Sequence, residues 1–160
     1  MTDLIHDYKI FPLGDAGVTI DLGNAISILL NHKIRSMQQW LIDHPLEGIK
    51  DIVAGYSSLS ILYDPVIIKR KYSPAYTAYE FIQLKLSEAW TASPAQPSNM
   101  EEKLIRIPVC YATAYGPDLE QVAEIKGLSV EEVIRYHYER HYYIYMIGFL
   151  PGFSSPVPCL

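Results

Sequence analysis

A chain of 160 residues with a formal net charge of −5 and a sequence pI near 5.5 has room for one full domain or two small ones. Affinity for a phosphate backbone rests on Lys and Arg displacing condensed counterions, so this acidic balance argues against nucleic acid as a partner. The 49% hydrophobic content and 13 tyrosines are those of an ordered globular protein, and the absence of a signal-like start or of any run approaching ~20 apolar residues predicts a cytoplasmic protein with no membrane partner.

Tyr8 to Leu13 and Val18 to Leu22 are apolar runs separated by Gly14-Asp15-Ala16-Gly17, and Val18, Ile20 and Leu22 alternate with Thr19 and Asp21. Period-two alternation around a glycine-rich break predicts a β-hairpin. From Ala25 to Asp43, Ile26, Leu29, Leu30, Ile34, Met37, Trp40 and Leu41 recur at helical spacing until His44-Pro45, which predicts an amphipathic helix. Ile49 to Tyr56 and Leu59 to Tyr63 predict a second hairpin, with Leu59, Ile61 and Tyr63 on one face and Asp64-Pro65 closing it. Ser73-Pro74 offers an N-cap with proline at the first helical position, and Tyr79, Ile82, Leu86 and Ala89 trace a helix face to about Trp90. The order β-β-α-β-β-α predicts an α+β, two-layer sandwich over residues 1–92.

Residues 93–103, rich in Pro, Ser and charge, have linker composition. Beyond them, Ile105, Ile107, Val109 and Tyr111 share a face of an expected strand over Leu104 to Tyr111, in which Pro108 implies an edge or a bulge. Gly116-Pro117 opens a short expected helix, Asp118 to Lys126, stopped by Gly127. Ser129 and Glu132 have capping-box spacing for a helix from Val130 to about Arg140, and Tyr142 to Ile147 reads as a strand ending at Gly148. A second domain over residues 104–160 with two strands, two helices and a breaker-rich end is not closed by itself.

Most chemistry-bearing residues have a plain structural reading. Asp15 and Asp118, just beyond turn glycines, are expected to cap backbone amides. His137 and His141 stand four apart, the spacing of a two-histidine grip on a helix, but lack a third ligand, so no metal is expected. Ser57 and Ser58 have no nucleophile-elbow setting, and Cys110 and Cys159 read as reduced thiols. Two short helices around Gly127-Leu128-Ser129 suggest a helix-turn-helix, yet Glu131, Glu132 and Glu139 spoil the second as a reader of phosphates.

Four segments carry a resemblance. They are Leu13-Gly14-Asp15-Ala16-Gly17-Val18 with Asp21 and Gly23; Ala54-Gly55-Tyr56-Ser57-Ser58-Leu59 with Tyr63-Asp64-Pro65; Ile107-Pro108-Val109-Cys110-Tyr111 with Gly116-Pro117-Asp118-Leu119 and Val122-Ala123; and Tyr145-Met146-Ile147-Gly148-Phe149-Leu150-Pro151-Gly152-Phe153. Together they resemble the family of the 5-oxoprolinase B subunit, allophanate hydrolase subunit 1 and KipI, of the carboxyltransferase C and D subdomain type, the last two segments being the specific ones. The resemblance implies an N-terminal α/β domain followed by a cyclophilin-like β-barrel. It implies one component of an ATP-dependent complex that opens 5-oxoproline to glutamate, or of an allophanate-hydrolase-like complex. Such a component is inactive alone, binds no cofactor itself and uses ATP as the complex's co-substrate. Its partners are the 5-oxoprolinase A subunit, together with a homologous C subunit or allophanate hydrolase subunit 2. The alternative it implies is a KipI-type inhibitor that binds a histidine kinase through the N-terminal domain.

The resemblance also places His137 beside a substrate or partner loop made of Gly148, Phe149, Pro151, Gly152 and Phe153, and gives structural roles to Gly14, Asp15, Tyr56, Ser58, Asp64, Pro65, Pro108, Tyr111, Gly116, Pro117 and Asp118. Catalytic residues stay unknown. Ala112-Thr113-Ala114 replaces a further glycine of the family pattern, and the family continues through many more strands after Phe153, so the barrel is expected to be incomplete within residues 104–160.

Overall fold

Alternation and turn chemistry build the first sheet. β1 (Lys9–Pro12) and β2 (Gly17–Asp21) pair antiparallel with Ile10 opposite Ile20. The Leu13 amide donates to the Gly17 carbonyl at 2.8 Å to close their turn, where Gly14 takes φ 66°, a left-handed conformation that glycine adopts without penalty. β3 (Ile49–Ala54) and β4 (Ser58–Tyr63) form the second hairpin, and β4 also pairs with β2, giving one antiparallel sheet in the order β1-β2-β4-β3. This computed structural model describes residues 8–72, 75–94 and 103–147 and the strand backbone of 154–158. The chain divides into two compact units, residues 1–99 and 100–160.

In the first unit, helices α1 (Ile28–Asp43), α2 (Pro65–Tyr72) and α3 (Ala78–Ala92) contribute to a core shared with the sheet. Val18 and Ile20 of β2 and Leu59, Ile61 and Tyr63 of β4 are at most 2% exposed. They cluster with Ile34, Met37 and Leu41 of α1, Ile68 of α2, and Ile82, Leu86 and Ala89 of α3. Each fully buried aliphatic side chain of this kind contributes about 1.5–3 kcal/mol. The architecture is the expected two-layer α+β sandwich with a four-stranded antiparallel sheet.

Three details of that expectation need correction. α1 starts at Ile28, after Ser27, so Ile26 lies outside it at 61% exposed, and Leu29, one position round from the buried stripe, is 42% exposed. The buried face instead includes Asn31 and Lys33. Asp64-Pro65 does more than end β4, because Asp64 Oδ1 accepts from the amides of Val66 at 3.0 Å and Ile67 at 3.1 Å and thereby starts α2, with Pro65 at its first position. The following helix begins at Ala78 on a capping box, in which the Glu80 amide donates to Thr77 Oγ1 at 3.1 Å and the Thr77 amide to Glu80 Oε2 at 2.7 Å. The expected cap Ser73-Pro74 lies outside the described residues. The Thr77 amide, together with the Thr77 hydroxyl, holds the Glu80 carboxyl below the usual carboxylate range.

The β3 edge is partly sealed by its own neighbours. Gln38 Nε2 donates to the Ile52 carbonyl at 3.0 Å and Asp51 Oδ1 accepts from the Ile52 amide at 2.8 Å, which blunts the edge against further strand pairing. Just before β3, Gly48 has φ 99°, its carbonyl accepts from the Asp64 amide at 2.7 Å, and a Cβ there would stand 2.9 Å from Ile67 Cγ2. Gly48→Ala is therefore expected to cost about 1–2 kcal/mol. Urea unfolding followed by tryptophan fluorescence would read it, since Trp40 and Trp90 both lie in this unit.

The second unit is built from local signals. α4 (Leu119–Lys126) ends at Gly127, whose φ of 64° is the left-handed C-cap conformation. α5 (Val130–Tyr138) starts on the Ser129–Glu132 capping box, with the Glu132 amide donating to Ser129 Oγ at 3.2 Å and the Ser129 amide to Glu132 Oε2 at 2.9 Å. The Ser129 amide, with the Ser129 hydroxyl beside it, lowers the Glu132 pKa. Ser129→Ala is expected to remove about 1 kcal/mol of helix stability, visible as faster amide hydrogen exchange at Glu132. β5 (Tyr142–Ile147) pairs antiparallel with β6 (Ser154–Pro158), Ile147 facing Ser154.

The expected strand over Leu104 to Tyr111 is not formed, because that run joins no strand ladder. Pro108 has no amide hydrogen to give, Leu104, Ile105, Ile107 and Val109 are between 53% and 69% exposed, and among the described residues no neighbour pairs with them. β6 arises instead in the breaker-rich end, where Pro156 and Pro158 are accommodated in a two-stranded ladder whose register shifts between Ile144 and Met146. α5 stops at Tyr138, short of the expected Arg140.

Candidate functional site

The motif residues of the first unit sit at opposite ends of the sheet and hold it together. At one end, the Gly14-Asp15-Ala16-Gly17 turn is tied to β4 by the Tyr63 amide donating to the Ala16 carbonyl at 2.9 Å. At the other, the Gly55 amide donates to the Ser58 carbonyl at 2.8 Å and the Leu22 amide to the Ser57 carbonyl at 2.9 Å. Ser57 Oγ donates to the Gly23 carbonyl at 2.6 Å, and Asn31 Nδ2 reaches the carbonyls of Gly55 and Tyr56, each at 3.3 Å. Because Gly17 pairs with Leu62 and Asp21 with Ser58, the two turns cannot form one site. Asp15 is exposed rather than seated as an amide cap; its charge adds to burial in raising the Tyr63 pKa.

In the second unit, separate elements converge on His137. It lies in the last turn of α5, where the helix presents carbonyls free of intrahelical partners. Tyr111 Oη lies 2.6 Å from His137 Nδ1, with the rings edge to face at 5.8 Å between centroids. From the start of β5, the Tyr142 hydroxyl donates to the His137 carbonyl at 3.1 Å, and its ring is 5.8 Å from the imidazole. Among the described residues His137 Nε2 has no hydrogen-bond partner. Further along β5, the rings of Tyr143 and Tyr145 meet edge to face at 4.7 Å. The arrangement is an imidazole held at one nitrogen and at its backbone, with the other nitrogen open.

The structure thus brings together Tyr111 and His137. His141 is not on the same helical face, since α5 ends before it. Gly148, Phe149, Pro151, Gly152 and Phe153 lie outside the described residues, although β5 and β6 on either side of them are paired. Asp118 precedes α4 but makes no side-chain cap, and Gly116 receives the first helical amide, Leu119, at its carbonyl at 3.2 Å. Pro117 lies between them, and Pro108 and the free, exposed Cys110 stand in the run that leads to Tyr111. Among the described residues no group of three or more His, Cys, Asp or Glu is placed to hold a metal ion, and no helix is long and apolar enough to cross a membrane.

Sequence reasoning missed Tyr142, whose contact to His137 depends on how the chain turns between α5 and β5. It also missed Lys33 on α1. Lys33 is 6% exposed, donates to the carbonyls of Trp90 at 2.6 Å and of Ser93, and lies 4.3 Å from the centroid of the Trp90 ring. Burial lowers its pKa.

Comparison with known proteins places these features in a family context. The model for the carboxyltransferase domain, subdomain C and D, matches residues 8–155. The chain is similar to the 5-oxoprolinase B subunit of Bacillus subtilis (strain 168), 34% identical over 147 residues that cover 91% of this chain and 61% of that one. It is also similar to the 5-oxoprolinase B subunit of Escherichia coli O157:H7, 29% identical over 91% of this chain and 61% of that one. It therefore spans about three fifths of the length of the curated relatives it matches. The crystal structure of TTHA0988 superposes with a TM-score of 0.66 at 30% identity, covering 86% of this chain and 24% of that one.

Proposed function

We propose, on the premise that this chain belongs to the carboxyltransferase subdomain C and D family, that it is part of the B subunit of an ATP-dependent 5-oxoprolinase. The observation that carries this is its 34% identity to the Bacillus subtilis 5-oxoprolinase B subunit over 91% of the chain. Opening 5-oxoproline adds water across the ring C–N bond, leaving a carboxylate and an amine, and ATP hydrolysis supplies the driving force. Partner subunits share that work; the part argued for this chain is holding substrate or a partner surface. Residues 1–92 form the N-terminal domain in this reading, and residues 104–160 contribute the opening part of a cyclophilin-like barrel. The exposed apolar run at Leu104, Ile105, Ile107 and Val109 supports the latter, as it has the character of a strand awaiting neighbours. His137, with Nε2 open, is the group of this chain that contacts ligand. ATP is a co-substrate of the assembly.

The test is to co-express the full-length source reading frame with its partner subunits and assay glutamate released from 5-oxoproline. ATP-dependent release is expected. A correctly assembled complex that releases none would overturn the assignment.

A further inference from the structure

We propose that Tyr111 is a positioning residue that holds His137 in one tautomer, so that a ligand meets a fixed Nε2–H donor. The inference rests on His137 being the ligand-contacting group of the function proposed above, and it adds the chemistry that the group would recognise. A neutral imidazole has one N–H and one bare nitrogen, and the partner of one nitrogen decides the state of the other. Tyr111 Oη is 2.6 Å from Nδ1, and among the described residues the Tyr111 hydroxyl has no other acceptor. A phenol O–H is a stronger donor than a neutral imidazole N–H, and a bare imidazole nitrogen a stronger acceptor than a phenol oxygen, so at 2.6 Å the favoured pairing has the hydroxyl donating to Nδ1 and the ring proton on Nε2.

Two further contacts limit how the ring can turn. The edge-to-face approach of the Tyr111 ring at 5.8 Å restricts rotation about the side chain, and the Tyr142 hydroxyl, 3.1 Å from the His137 carbonyl, fixes the helix end that carries it. The ligand atom matched to a fixed N–H donor is an acceptor oxygen, a carboxylate or an amide carbonyl. A bare nitrogen at that position would instead select a donor.

Nitrogen-15 chemical shifts of the histidine side chains report the tautomer without any catalytic assay. They are measured on the full chain at about pH 9, above the ordinary imidazole range. With five histidines in the chain, His137→Gln assigns the signal. The wild type is expected to show a pyridine-like Nδ1 and a protonated Nε2, and Tyr111→Phe, which keeps the ring, to move His137 toward a mixture of tautomers. Tyr142→Phe is expected to leave the tautomer unchanged, since that contact reaches the carbonyl alone. A wild-type His137 with its proton on Nδ1, or one that Tyr111→Phe does not alter, would sink the proposal, and the first of these needs no variant to fold. In the assembled complex, Tyr111→Phe is expected to slow turnover about tenfold, the worth of one lost hydrogen bond. If the fixed tautomer is found in a complex that releases no glutamate, the function fails while the tautomer assignment stands.

Discussion

Leu86→Ala is expected to lower the stability of the first unit by about 2–5 kcal/mol, the range for truncating a buried leucine in a well-packed core. Leu86 has no exposed surface and sits on the inward stripe of α3 with Ala78, Ile82 and Ala89. It belongs to the cluster that joins the sheet residues Ile20, Leu59 and Ile61 to Ile34 and Met37 of α1. Two elements therefore face the space the side chain would vacate. A helix anchored at its N-terminus by the Thr77–Glu80 box, and near its C-terminus through Lys33, has little freedom to collapse into that space. The upper half of the range follows. In urea the unfolding midpoint of Trp40 and Trp90 fluorescence should fall with the slope unchanged. A loss below about 1 kcal/mol would mean that the core is looser than the burial of these side chains indicates.

What was legible in the sequence is what neighbouring residues settle among themselves. Leu59, Ile61 and Tyr63 announced their common face by alternation, and all three are buried on it. Gly127 and the Ser129–Glu132 pair marked the end of one helix and the start of the next, because a left-handed cap and a capping box are made within a few residues. α2 was hidden by an ambiguity of the same local kind, since Asp64-Pro65 is as good an ending for a strand as a beginning for a helix. The Thr77–Glu80 box was readable in principle but lay in the shadow of the more conspicuous Ser73-Pro74. The run from Leu104 to Tyr111 shows the opposite failure: alternation describes a strand's faces, yet a ladder needs a partner, which alternation cannot supply.

The candidate site was legible as residues and not as an arrangement. Tyr111 and His137 both fell within or beside segments of the family resemblance, but they stand 26 positions apart, and only the fold brings hydroxyl and imidazole to 2.6 Å. Tyr142 carried no signal beyond belonging to an apolar, tyrosine-rich strand. Polar residues on a buried helix face are harder still. Asn31 and Lys33 interrupt the α1 stripe and would be read as solvent-facing, because the carbonyls that satisfy them come from 24 to 60 residues away.

Lys33→Met is expected to cost about 2–3 kcal/mol, because it keeps most of the stem while stripping the donor from two carbonyls at the end of α3. The Trp90 and Ser93 carbonyls belong to the terminal turn and cap of that helix, where the backbone has no further amides to offer, and the Lys33 ammonium fills that role from α1. Its position over the Trp90 ring, at 4.3 Å, adds an electrostatic contact that methionine does not replace. A pH dependence should accompany the loss. Burial depresses the folded-state pKa of Lys33 below the unfolded value, so in the interval between the two the unfolded chain binds more protons and stability rises with pH. Tyr63 acts in the opposite sense: its folded pKa is raised by burial and by the charge of Asp15, so its contribution falls once the pH passes the ordinary phenol range. Both groups titrate in the wild type and only Tyr63 in the variant. The stability gap between wild type and Lys33→Met, measured by urea unfolding at a series of pH values, is therefore expected to widen over the interval just below the ordinary lysine pKa, where the folded and unfolded values differ. A gap that narrows over that interval would show that the lysine is held chiefly through its charge, and that its desolvation is not the dominant effect.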